Sequence, residues 1–172
     1  MAEKSKNEKD FKLITNLCRF IIHRINSQHL FCIMAFLTLG VGDALTASNM
    51  MEIRGVRAEY NGFISSLYAD QGILMVIATK MSLAVLLIAG ALIVYWQSQG
   101  RSNWMINGFL ISLTIGGIMA TVANIQATIG LPYMSSSKFY FLFLGLVFIF
   151  VEAGDFIDNH TFEASDNLYP MK

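Results

Sequence analysis

Gly40 to Met50 reads GVGDALTASNM, and the fold of the chain turns on how that stretch is understood. It continues an apolar run that starts at Leu30. Leu30–Met50 together supply the ~20 residues that a helix needs to cross a hydrocarbon core ~30 Å thick. Yet the run carries Asp43, Thr46 and Asn49. A carboxylate in hydrocarbon is costly, and where one occurs it faces the inside of a bundle and is paired. The stretch therefore predicts a membrane helix whose polar face is matched by groups on other helices.

The rest of the chain has the same character. Hydrophobic residues make up 55% of its 172 residues and charged residues 14%, against about a quarter charged in soluble domains. The net charge is zero, so no global basic field attracts nucleic acid. Cys18 and Cys32 have neither metal-ligand spacing nor the setting of a disulfide framework. Leu30–Met50 is too long for a signal-peptide core and further apolar runs follow, so it reads as a retained first helix.

Two more full-length spans are Gly72–Trp96 and Trp104–Leu131, with Tyr95, Trp96 and Trp104 marking the interface around the short loop between them. A fourth span, 139–156, is weaker, because its uninterrupted apolar part, Phe139–Val151, has thirteen residues. It must tilt or thin the bilayer to cross; a re-entrant or surface-lying helix is the alternative. Before the first span, residues 1–29 form a cytoplasmic segment. In it Phe11, Ile14, Leu17, Cys18, Ile21 and Ile25 recur at helical spacing, which predicts an amphipathic helix lying in the interface or packing on its own bundle. Residues 157–172 read as an acidic tail. The expected fold is all-α: an integral membrane helical bundle over 30–156 with four transmembrane helices and an N-terminal interfacial helix. Six basic residues precede the first span, which places the N-terminus in the cytoplasm by the positive-inside rule. Four crossings bring the tail to the same side. Three would leave the sequon at Asn159 outside.

The partner for Asp43 follows from depth. Asp43 lies seven residues below the outer end of the first span, roughly 10 Å at the helical rise. Lys80 lies eight residues into the second, roughly 12 Å deep, and Asn124 seven below the end of the third, roughly 10 Å. Acid, amine and amide thus fall in one layer. Thr46 sits one turn from Asp43, while Thr121 and Thr128 share the face of Asn124. The layer either pairs Asp43 with Lys80 inside the bundle, or Lys80 snorkels to the headgroups.

The third span has a second feature. Gly108, Ser112, Gly116 and Ala120 recur every four residues, followed by Asn124 and Thr128. This is a small-residue ridge along which another backbone approaches closely. The four-residue spacing drifts around the helix, so one straight partner cannot cover it all. The loop Met51–Gln71 is solvated, or else Phe63, Ile64, Leu67 and Tyr68 form a short helix over the bundle, with Glu59 and Asn61 just before it.

Asp43-x-x-Thr46, Glu59-x-Asn61, Lys80 on the second span and Asn124 late in the third resemble a family of small prokaryotic integral membrane proteins catalogued as a domain of unknown function. The resemblance covers roughly residues 30–131. The family pattern has a proline after Glu-x-Asn, where this chain has Gly62. The resemblance implies the architecture and the polar layer, and no activity.

No phosphate loop, HExxH or Ser/His/Asp set occurs. Histidines fall outside the spans, and the ten methionines lack the repeated close spacing of a thioether copper site. Neither a metal nor a cofactor is expected. The sequence points to a non-enzymatic accessory or scaffold subunit of a membrane complex. Its partners would be membrane lipids and either other subunits or further copies of itself. The alternative is a small oligomeric transporter or channel using Asp43 and Lys80 as a proton or ion site. An intramembrane enzyme with Asp43 as base is the third reading, and it lacks a nucleophile.

Overall fold

The computed structural model describes residues 27–168. The chain divides into two compact units, residues 1–30 and 31–172. Of the first, only Ser27–Leu30 are described, the opening of a helix; the expected amphipathic helix at 11–29 otherwise lies outside the described residues.

Every regular element among the described residues is helical. In chain order they are α1 (Ser27–Ala35), a π-helical segment (Phe36–Gly42), α2 (Asp43–Arg54), a 3₁₀ turn (Val56–Ala58), α3 (Gly62–Gln71), α4 (Ile73–Gln97), α5 (Asn103–Ile129) and α6 (Ser136–Leu168). Among the described residues, four helices are long and apolar enough to cross a membrane: Ser27–Arg54, Ile73–Gln97, Asn103–Ile129 and Ser136–Thr161. Their outward faces carry large apolar side chains such as Leu74, Leu86, Phe141 and Phe148, all mostly exposed. The buried residues combine small ones, among them Ala44, Ala47, Ala84 and Gly116, with larger ones such as Met51, Leu110 and Leu113. Small residues at these contacts let helix backbones approach closely.

The first long helix is not uniform. Between Phe36 and Gly42 its hydrogen bonds lengthen to the i→i+5 pattern, so that the Asp43 N–H donates to the Thr38 carbonyl. The wide turn lies against α5. A Cβ on Gly117 would fall onto the backbone of Thr38 and Leu39, and one on Gly42 would come within 2.9 Å of the Thr121 hydroxyl. Glycine on both sides lets the two backbones meet here. Such segments often occur at functional sites, and this one ends on Asp43.

The small-residue ridge of α5 has its partner inside the chain. Gly108 meets the Phe150 carbonyl of α6, Gly116 meets the Phe143 ring, and the Ser112 hydroxyl lies 3.3 Å from the Leu146 carbonyl. The contact is reciprocal, since Gly154 of α6 sits on the Trp104 carbonyl. Ala120, the last small residue of the ridge, leaves α6 and faces a cavity. The drift of the four-residue stripe thus hands α5 from one neighbour to the next.

The fourth long helix runs well past its expected end at 156, to Leu168. The segment read as an acidic tail continues this helix over 157–168, and within it Asp158 has a structural task. Asp158 is 5% exposed. Its two carboxylate oxygens accept from the Trp104 and Met105 N–H groups at 3.0 and 2.9 Å. These are unpaired first-turn donors of α5, at the positive end of its dipole. Ser102, the residue in the ordinary capping position, makes no such bond. At the other end of α5, Arg54 Nε donates to the Thr128 carbonyl at 2.9 Å, meeting a C-terminal acceptor with a cation.

The loop Met51–Gln71 contains a helix rather than solvated coil. Glu59 Oε1 accepts from the Asn61 N–H at 2.9 Å. Asn61 Oδ1 then caps α3 by accepting from Phe63 and Ile64. The Glu-x-Asn motif is therefore an N-terminal helix signal, and Gly62 occupies the first helical position.

Candidate functional site

Asp43 opens α2 immediately after the π-helical turn, and its carboxylate is shared between two other helices. Lys80 Nζ of α4 lies 2.9 Å from Oδ2, and Asn124 Nδ2 of α5 donates to Oδ1, also at 2.9 Å. The side chains of Lys80 and Asp43 are 14% and 16% exposed, so the pair is shielded without being sealed. Snorkelling is thereby set aside: the ammonium turns inward to the carboxylate.

Thr46 joins this cluster. Its hydroxyl donates to the Gly42 carbonyl at 2.7 Å and accepts from Asn124 Nδ2 at 3.2 Å. Asn124 thus bridges acid and hydroxyl, while Lys80 supplies the compensating charge. Thr128 bonds back to the Asn124 carbonyl at 2.7 Å and fixes that turn of α5. Thr121 is different. It shares the face of Asn124, but its buried hydroxyl has no hydrogen-bond partner, and it packs against Gly42 instead. The π-helical turn brings Gly42, not Asp43, to the level of Thr121, which a straight-helix projection cannot anticipate.

The cluster stands on the wall of a cavity of about 550 Å³. Below the cluster the walls are apolar: Leu83 and Leu87 of α4, Gly116 of α5, Phe143 and Leu144 of α6. Above it lie Glu59, Tyr60, Asn61 and Tyr133. Tyr133, in the loop between α5 and α6, donates to the Tyr60 hydroxyl at 3.2 Å, with the rings 5.8 Å apart. That hydrogen bond, with burial and the neighbouring phenol adding to it, raises the Tyr133 pKa above its ordinary value. Neither the cavity nor the tyrosine pair is legible in the sequence, since both arise from segments that meet far apart in the chain.

Among the described residues no group of three or more His, Cys, Asp or Glu side chains converges as a metal site would. The carboxylate of Asp43 has both oxygens engaged. The fold and cluster define a class: an all-helical bundle with four helices of membrane-crossing length and a shielded acid–amine–amide cluster on a cavity wall. No family model, no curated protein and no solved structure matches this chain.

Proposed function

We propose that the chain is a non-enzymatic, multi-pass membrane protein with its N-terminus in the cytoplasm, acting as an accessory or scaffold subunit of a membrane complex. In this role the Asp43–Lys80–Asn124 cluster locks the register of three helices. One observation carries the reading: both carboxylate oxygens of Asp43 are bonded, each to a different helix. A carboxylate so engaged holds helices in place and is poorly disposed to accept a substrate proton. Buried polar groups as register devices are the best-attested use of such pairs. The resemblance to small prokaryotic membrane proteins rests on the same residues and supports the same architecture.

The test is a pair of variants in detergent-purified protein. Lys80→Met strands a shielded carboxylate and should lower stability by about 3–5 kcal/mol. Asp43→Asn combined with Lys80→Met removes both charges and should recover most of that loss, with the same co-purifying proteins retained at the same stoichiometry. A double variant that folds but sheds those proteins would argue for a role of the charges beyond packing.

The position of the pair on a cavity wall favours transport as the second reading, since intramembrane ionisable groups mark ion and proton pathways. Four helices are few for a transporter, so this reading requires an oligomer. Proteoliposome flux that Asp43→Asn leaves unchanged would remove its basis.

A further inference from the structure

The cavity has a polar upper half, an apolar lower half and an open side. Among the described elements, α6 packs extensively on α5 alone. No extensive packing joins α4 to α6, so the cavity is bounded on that side only by the edges of the two helices. The rim there is apolar and uncovered: Leu83 and Leu87 of α4 face Tyr140 and Leu144 of α6, each about half exposed. In a membrane this opening faces acyl chains rather than water.

We propose that the cavity is a lateral binding site for a single-chain amphiphile drawn from the bilayer, with a non-anionic, hydrogen-bond-donating head such as a polyol or an amine. The chain lies along Leu83, Leu87, Phe143 and Leu144. Lys80 to Leu87 is seven residues of helix, roughly 10 Å of apolar wall beneath the polar layer. The head lies between the Asp43–Lys80 pair and Glu59. Asp43, Glu59 and Lys80 are the lining groups with a formal charge: two negative and one positive, a net of −1. Carboxylates only accept hydrogen bonds, so the site selects a head that donates and repels phosphate and carboxylate heads. The volume of about 550 Å³ lies within the ~300–1,000 Å³ of small-molecule sites. It suits one chain and a compact head.

This inference rests on the membrane reading above, and the experiment separates the two. Full-length protein is first tested for retention in carbonate-washed membranes; a chain that washes off sinks both. Retained protein is then purified in mild detergent and titrated with monoolein, oleylamine and oleate, which share one chain and differ in head, with binding read by native mass spectrometry. Monoolein and oleylamine should each bind at one equivalent and at least ten-fold more tightly than oleate. Ala120→Phe, which projects into the cavity, should weaken both by ten-fold or more. Ala123→Leu, a smaller filler should the first variant not fold, should weaken both measurably. Glu59→Gln should narrow the preference for oleylamine over oleate by several-fold. Equal binding of oleate, or binding unmoved by a folded cavity-filling variant, overturns the proposal. So does crosslinking of a protein helix into the gap between α4 and α6.

Discussion

Asp43 shows how much one side chain can organise when it cannot be solvated. Its carboxylate draws an amine from α4 and an amide from α5, and each contact is charge-assisted and therefore stronger than a neutral one. Depth counting brought these three residues together, because helical rise converts residue number into height whatever the neighbours do. It could not settle which face Thr121 meets, since that depends on a local change in helix winding. Gly62 is a second case at this scale. It is the first residue of α3, does not have positive φ, and follows Asn61 at an extended φ of −79° and ψ of 103°. The cap uses the N–H groups of residues 63 and 64. Proline favours the first helical position and an extended preceding residue. Gly62→Pro should therefore be accepted and should raise stability by about 0.4–1 kcal/mol, read as a higher unfolding midpoint in detergent. A proline and the glycine found here would then serve one backbone geometry.

Between elements, the contact of α5 with α6 depends on the absence of side chains. A Cβ on Gly108 would meet the Phe150 carbonyl, a backbone atom that cannot swing aside, whereas a Cβ on Gly90 of α4 would meet nothing. Gly108→Ala should cost about 1–3 kcal/mol through overpacking. Gly90→Ala should stabilise by roughly 0.5–1 kcal/mol through helix propensity. Thermal unfolding of the two variants side by side checks both, and the same sign for both would contradict the packing described. The ridge itself was legible as a four-residue repeat; its partner was not, since several apolar helices could accept it. The capping of α5 by Asp158 was hidden for a related reason. Fifty-four residues separate Asp158 from Trp104, and a carboxylate in an acidic stretch looks like solvated surface until the fold carries it to a helix N-terminus.

At the scale of the molecule, the described residues form four long apolar helices, with many large apolar side chains exposed on them. The proposed membrane insertion rests on those long apolar helices, and the proposed orientation on the basic residues that precede the first of them. On the proposed topology, four crossings would put both ends on the cytoplasmic side. Reporter groups fused to each end in turn should show the same protection from externally added protease in intact cells. Opposite protection would mean that the fourth helix does not cross.

What the sequence determined by itself is helicity, the number of long apolar segments and the approximate level shared by Asp43, Lys80 and Asn124, because these depend on composition and on a nearly fixed rise per residue. The tertiary structure alone decided the π-helical turn before Asp43, the partner of the glycine ridge, the cap on α5 and the cavity beside the charged pair. Each of those is a meeting of segments distant in the chain, fixed by which backbones can approach and which polar groups would otherwise go unbonded. No local pattern encodes that outcome.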